Sequence, residues 1–326
     1  MILVTGASGF VGRSLVKALR EHVPSVSVRA FDFKPSSGDL PHGVEVLVGS
    51  VEEPSDVARA VSGVQAVVHL AAFVQPSSRE FDRMWRVNVD GTRALYAATA
   101  GAGCVHFVHF SSAGIYGHPR QARAFHENDA PHPTSPYQRT KWEAELALRE
   151  ADPKNVVLNI LRPAGIYGAG SYLELPTYRR IMAQRWSLEP PGAIIVHPTH
   201  IQDVVQALLA ILETPAPHGM VLNFGGERSI RYPDFEALVA KTLGVPRRRI
   251  TLPARIAGPI TSIADPLLGF LGRPDPRRSS ISRGNVFSSA VDDGKFRQHY
   301  PTVPRIKLED GLRDHIDWAF ANRLLT

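Results

Sequence analysis

Short, wholly apolar runs alternate along this chain with longer stretches in which apolar residues recur every three or four positions. The first run, Ile2 to Val4, is followed by glycines at 6, 9 and 12 and then by Val11, Leu15, Val16 and Leu19 at helical spacing. Val26 to Phe31 and Val44 to Val48 read as further strands, Glu53 to Val61 as a helix, and Ala66 to Leu70 as a fourth strand. A helical stripe through Met84, Trp85, Val89, Leu95 and Ala98 predicts one helix over Phe81 to Ala100, before another strand at Val105 to Phe110 and a helix carrying Trp142, Leu146 and Leu148. Strands without a polar alternation are buried on both faces, as parallel strands are. Strands and helices in alternation predict an α/β fold, a doubly wound parallel sheet.

The second half of the chain continues the alternation with shorter elements. Tyr178 to Trp186 and Ile201 to Leu212 read as helices, Ala193 to Val196 as a short strand, and Met220 to Phe224 as a strand returning to the main sheet. Asp234 to Leu243 reads as a helix, and the apolar segment Ile256 to Leu271 as a helix that either walls a hydrophobic pocket or belongs to the core. Motif order divides the chain into a dinucleotide-type domain at 1–165, its sheet completed by parts of 195–225, and a smaller C-terminal α/β substrate domain at 166–326.

Composition narrows the class. With 326 residues, 44% of them hydrophobic and 21% charged, the chain can bury a large core. No apolar run is long enough to span a bilayer, and the chain opens directly on its first strand, so no membrane insertion and a cytoplasmic location are expected. The lone Cys104 excludes an internal disulfide framework and reads as a packing residue. The net charge of +6, from 37 Lys and Arg against 31 Asp and Glu, favours anionic small molecules. The arginines are scattered, so no nucleic-acid partner is expected. His197 and His200 have no third ligand at a recognisable spacing, so no metal site is expected either.

The chemistry begins at the glycines. A turn without side chains lets backbone N–H groups approach a pyrophosphate at the positive end of the following helix. The spacing here is G-x-x-G-x-x-G, a variant of the commonest dinucleotide fingerprint. Asp32 closes the second strand about 20 residues further on, where a carboxylate accepts hydrogen bonds from ribose hydroxyls and repels a 2′-phosphate. NAD is therefore favoured over NADP, although Lys34 and Arg13 lie nearby in sequence. Tyr137 and Lys141 stand four apart in Ser135-Pro-Tyr-Gln-Arg-Thr-Lys141, which places both on one face of a helix. A neighbouring ammonium is expected to draw a phenol, with its ordinary pKa near ~10, toward the working range. Ser112, at the end of the fifth strand, would hold a substrate oxygen while Tyr137 moves the proton and the carbinol hydrogen passes to nicotinamide. Asn88, ahead of Gly91-Thr92, is read as a cofactor-side or proton-relay support.

Taken together these stretches resemble the extended short-chain dehydrogenases/reductases, the NAD-dependent epimerase/dehydratase superfamily. The resemblance runs from Thr5-Gly-Ala-Ser-Gly-Phe-Val-Gly12 through His69-Leu-Ala-Ala72, Asn88-Val-Asp-Gly-Thr92, Ser111-Ser-Ala-Gly-Ile-Tyr-Gly117, Tyr137 with Lys141, and Leu161-Arg-Pro-Ala-Gly-Ile-Tyr-Gly168. It continues to Asp292-Asp-Gly-Lys295 and Tyr300-Pro-Thr-Val-Pro304. It implies a Rossmann domain, a homodimer through the helices holding Asn88 and Tyr137, and a catalytic serine four residues before Tyr116, namely Ser112. It further implies cofactor contacts from Gly6, Gly9, Phe10, Val11, Gly12, Asp32, Ser50, Val51, Leu70, Ala71, Ala72 and Pro163 beside Tyr137 and Lys141. Substrate contacts fall to Ala113 and Arg283, with Arg273 a further candidate. Members that grip adenine with an aspartate usually show Gly-Asp-hydrophobic where this chain has Gly49-Ser50-Val51. Nucleotide-sugar dehydratases carry an Asp-Glu pair where Ala113-Gly114 stand here, and UDP-galactose-type epimerases carry an Asn and an Arg at the positions of Gly165 and Val196. The stretch ending at Gly168 is closer to that of 3β-hydroxysteroid dehydrogenases, which becomes the favoured reading, a nucleotide-sugar 4-epimerase the alternative. A non-catalytic dinucleotide sensor is the third, opposed by the intact Ser112, Tyr137 and Lys141.

Overall fold

The computed structural model describes residues 1–34, 40–74, 80–117, 123–151, 155–183, 187–189, 195–246, 249–251 and 290–325. Seven parallel strands form the main sheet: β1 Ile2–Thr5, β2 Val28–Asp32, β3 Val44–Val48, β4 Ala66–His69, β5 His106–Phe110, β6 Val157–Pro163 and β7 Met220–Phe224. Their spatial order is β7-β6-β5-β4-β1-β2-β3. Because β1 lies between β4 and β2, the strand order reverses beside it, and a crevice opens there at the carboxyl edge of the sheet.

Helices cover both faces. On one, α1 (Phe10–His22) and α7 (Ile201–Glu213) press Leu15, Val16, Leu19, Val204 and Leu208 onto Val4, Val68, Val108 and Leu222. On the other, α2 (Pro54–Val61), α4 (Gly91–Gly101) and α5 (Pro136–Ala151) enclose Leu3, Val67, Leu95, Phe107 and Leu148. Each fully buried aliphatic side chain of this kind stabilises the fold by about 1.5–3 kcal/mol, so the two layers hold the sheet edges in fixed register. Cys104 packs in the second layer, where burial pushes its thiol up.

The helix expected over Phe81 to Ala100 is interrupted. It is α-helical at α3 (Phe81–Trp85), passes through one π-helical turn at Arg86–Asp90, and resumes as α4. The extra residue of a π turn rotates the following stripe, and such turns recur at functional sites. Gly91 sits directly after it, where a Cβ would meet Val51 Cγ2 at 2.7 Å, so the glycine lets α4 close against the loop after β3.

The smaller unit gathers α6 (Leu175–Met182), α8 (Tyr232–Thr242) and α10 (Leu308–Ala321) around Tyr178, Phe235, Val239, Leu312 and Ile316, with α9 (Gly294–His299) against β7. The segment Ile256 to Leu271, with Arg273 and Arg283, lies outside the described residues. Among the described residues no helix is long and apolar enough to cross a membrane, and no His, Cys, Asp or Glu cluster could hold a metal. His200 instead caps α7, its Nδ1 accepting from Gln202 N at 3.3 Å.

Candidate active site

The crevice begins at Gly6, whose φ of +66° lies in the left-handed region and whose Cβ would come within 2.7 Å of Ala71 N. The turn after β1 and the end of β4 therefore touch backbone to backbone, which only glycine permits. Gly12 does a different job: a Cβ there would stand 2.2 Å from the Gly6 carbonyl oxygen, so this glycine seats α1 on the turn. The N-cap of α1 is Gly9, with no side-chain cap and no acidic residue in the first turn, leaving backbone donors for an anion.

Beyond the turn lies a cavity of about 490 Å³ lined by Gly6, Gly9, Asp32, Ser50, Val51, Leu70, Ala71 and Ala72. Asp32 faces it with both oxygens already placed: one accepts from Ser8 N and the other from Phe33 N, each at 2.8 Å. A carboxylate keeps lone pairs for further donors, so the strand end is preset to receive hydroxyls. Ser50 stands where an aspartate was noted as usual; its Oγ accepts from Glu52 N at 3.1 Å and its N–H donates to Asp56. Of the other residues expected at a cofactor, Phe10, Val11, Gly12, Pro163, Tyr137 and Lys141 do not line this cavity. Lys34, noted above beside Asp32, lines it too, and Ser8, Phe33, Glu52, Phe73, Arg83 and Val87 join it without belonging to the expected contacts, though most flank a motif residue in sequence.

The catalytic candidates lie where β5 ends and α5 begins. Ser135 caps α5, accepting from Gln138 N at 3.2 Å, while Gln138 Oε1 accepts from Ser135 N at 3.1 Å. This reciprocal pair, with Pro136 as the first helical residue, fixes the start of α5 and so the place of Tyr137 in its first turn. Lys141, one turn on, is buried and donates to the Phe110 carbonyl at the end of β5. Ser111 and Ser112 follow, Ser112 on extended backbone, and their side chains take different partners. Ser111 is buried and donates to Glu145 Oε1 at 2.5 Å, whereas half-buried Ser112 accepts from Gly114 N at 3.0 Å. A Cβ on Gly114 would meet Ser112 Oγ at 3.1 Å and Gln138 Cγ at 3.3 Å, so the serine turn abuts the first turn of α5. Buried Ala113 follows Ser112 in the same turn.

Electrostatics here depart from the expected tuning. Burial pushes the Tyr137 phenol up to about 12, and Lys141 does not bring it down. Lys141 itself is drawn down to about 8 by burial, partly offset by Glu145, and its ammonium is committed to Phe110. Desolvation of a phenolate outweighs a cation whose donors are directed elsewhere. In this state the phenol is held protonated.

Asn88 is committed within the protein. Its Oδ1 accepts from Phe73 N at 2.7 Å, and its Nδ2 donates to Phe73 O and to Thr140 Oγ1, both at 3.0 Å. The amide is fully used as a brace between the strand-β4 loop and α5. His69 is satisfied as well, between Thr5 Oγ1 at 2.7 Å and Thr92 Oγ1 at 2.8 Å, and burial lowers its pKa to about 3.

Comparison with known proteins agrees with this geometry. The profile of the "NAD dependent epimerase/dehydratase family" matches residues 2–225. The chain is 30% identical to Sterol demethylase protein B of Methylococcus capsulatus over 84% of each chain. It is 32% identical to human 3 beta-hydroxysteroid dehydrogenase type 7 over 55% of this chain and 53% of that protein, so this match spans about half the relative's length. Among solved structures, MoeE5 in complex with UDP-glucose and NAD superposes with a TM-score of 0.77 at 26% identity, covering 99% of both chains. With seven parallel strands wound about a glycine turn, and a family profile spanning β1 to the end of β7, the chain belongs to the NAD dependent epimerase/dehydratase family.

Proposed function

We propose that the protein is an NAD-dependent oxidoreductase that interconverts a secondary alcohol and its ketone on an apolar, 3β-hydroxysteroid-like substrate. The observation that carries the reading is the meeting of β5 and α5. Ser112, Tyr137 and Lys141 are brought to one edge of the sheet, the edge on which the glycine turn opens. The residues present suit NAD: uncapped amides at Gly9, a glycine turn that a Cβ would fill, and the preset carboxylate of Asp32. When bound, NAD supplies the two-electron acceptor or donor.

The chain's own groups handle the oxygen and its proton. Ser112 Oγ donates to the substrate oxygen, Tyr137 exchanges the proton, and Lys141 anchors the start of α5 on β5. With its phenol held protonated, Tyr137 is ready to give a proton to a ketone at neutral pH. Removing a proton from an alcohol needs alkaline pH, or Lys141 released from Phe110 toward the phenol.

An apolar substrate is favoured by what two positions lack. A side chain at Gly165 would meet nothing within 4 Å, and Val196 packs in the apolar cluster of the smaller unit, so neither offers a donor to a diphosphate. The long match to a sterol enzyme supports the same reading. The second reading, a nucleotide-sugar 4-epimerase, is supported by the full-length likeness to a protein holding UDP-glucose and NAD. We read the assembly as a homodimer, which light scattering would test.

The deciding experiment incubates the protein at alkaline pH with NAD and either a panel of 3β-hydroxysterols or UDP-sugars, following reduced nicotinamide by absorbance and sugar isomers by chromatography. Net reduced cofactor with a sterol is expected. Isomerised sugar without net reduction would replace this reading with the epimerase.

A further inference from the structure

Buried hydroxyls, one imidazole and one amide form two runs of hydrogen bonds that meet at Asn88, one reaching its backbone carbonyl from the glycine turn and one leaving its side chain for the backbone of Tyr137. Thr5, His69, Asn88, Thr92 and Thr140 are each at most 2% exposed. The direction of every bond follows from counting protons. Thr92 Oγ1 donates its one hydrogen to Asn88 O at 2.7 Å, so toward His69 it can only accept. His69 Nε2 therefore carries the ring proton and Nδ1 is bare. Thr5 Oγ1 accepts from Ala71 N at 3.2 Å and gives its hydrogen to that bare Nδ1. On the other side of Asn88, Nδ2 donates to Thr140 Oγ1, which passes its hydrogen to the Tyr137 carbonyl at 2.9 Å.

Reversing the ring would leave the Thr5 hydrogen without an acceptor and take the Thr92 hydrogen from Asn88 O, and the ring is kept neutral, with burial and Lys141 both opposing protonation. Such a line holds its two ends at fixed separation: a shift of Ala71 or Phe73 at the crevice must be matched at α5 or must break a buried bond. The line crosses the chain at the π turn, the one place where the helix carrying Asn88 departs from α geometry.

We infer that His69, Thr92 and Thr140 are positioning residues that couple occupancy of the nucleotide crevice to the placement of Tyr137. The inference rests on the reading of the crevice as an NAD site, and its test separates the two. NAD is the probe, its binding is followed by quenching of protein fluorescence, and amide hydrogen exchange is read over Pro136–Ala151.

In the wild type and in Thr92→Ser, which keeps the hydroxyl, NAD should slow exchange in the first half of α5 by about tenfold, the scale of one buried hydrogen bond. Thr92→Val, nearly the same shape without the hydroxyl, should still bind NAD but show less than about a twofold slowing. A residue that merely stabilised the fold would change exchange equally with and without NAD. If Thr92→Val does not fold, Thr140→Val and Thr140→Ser make the same comparison at the far end of the line. Equal slowing in the valine and wild-type proteins, or NAD binding to the wild type that leaves α5 unchanged, overturns the coupling alone. Failure of the wild type to bind NAD overturns the cofactor reading and the coupling together.

Discussion

Replacing Glu145 by glutamine tests whether the floor of the site is held by a buried charge. Glu145 is 0% exposed and accepts from Ser111 Oγ at 2.5 Å and Arg162 Nε at 2.9 Å on one oxygen. Its other oxygen accepts from Arg162 Nη2 at 2.7 Å and Arg149 Nη2 at 2.9 Å. Arg162, 2% exposed, also donates to Tyr116 at 2.7 Å, and Tyr116 donates to Asn223 at 2.7 Å. Glutamine keeps the shape and the first acceptor, but turns an NH2 group toward two guanidinium donors and leaves Arg162 buried without a counter-charge. Breaking a buried pair costs about 3–5 kcal/mol, most of it the stranded charge. The Arg149 contact, with 35% of that side chain exposed, adds no more than about 1 kcal/mol. Urea unfolding at neutral pH should therefore place Glu145→Gln about 3–5 kcal/mol below wild type and Arg149→Ala within about 1 kcal/mol of it. Glu145→Leu combined with Arg162→Met should recover part of the loss, because the Arg162 charge leaves with its partner while buried Lys141 still loses the support of Glu145. A glutamine variant within about 1 kcal/mol of wild type, or an Arg149 effect of equal size, would refute the assignment.

Two other perturbations probe the glycine turn and the buried Asp203. Gly12→Ala must push α1 off the turn, since its Cβ would meet backbone at 2.2 Å; a loss of about 1–3 kcal/mol in stability and weakened NAD binding are expected, by thermal melting and fluorescence titration. Burial raises the Asp203 carboxyl from 3.8 to about 6, so the folded state holds that proton more tightly than the unfolded chain. The stabilisation is complete below about pH 4 and is lost as pH rises through about 6, a difference on the order of 3 kcal/mol. Asp203→Asn, which keeps an acceptor for Ile306 N, should melt higher than wild type at about pH 7.5 and level with it near pH 4; no gain at the higher pH would contradict the sign.

The glycine turn, the acidic strand end and the strands themselves could be read from the sequence because each is local: a continuous apolar run, a glycine required by a positive φ, an Asp at a strand terminus. The π turn at Arg86–Asp90 could not, since a stripe at helical spacing absorbs one extra residue without an obvious break. The state of Tyr137 could not either. It depends on desolvation around the phenol, which is set by packing, and on Lys141 finding the Phe110 carbonyl, 31 residues away in sequence. Asn88 was visible as a residue of interest, but its partners Phe73 and Thr140, 15 and 52 positions away, are set by the packing of the helix and loop on the sheet. The Glu145, Arg162 and Ser111 cluster is likewise non-local, and its one local sign in the sequence is a Glu one turn after Lys141 on a buried helix face.

The central claim is that Tyr137 moves a proton for a substrate placed beside bound NAD. Tyr137→Phe, which removes one hydroxyl and keeps the ring, tests it in a single comparison of turnover with NAD affinity on the same preparation. At alkaline pH, sterol-dependent formation of reduced cofactor should fall by at least about a hundredfold, the lower end of what a positioned acid–base group contributes, while NAD binding is retained. Wild-type turnover by the phenylalanine variant would contradict it.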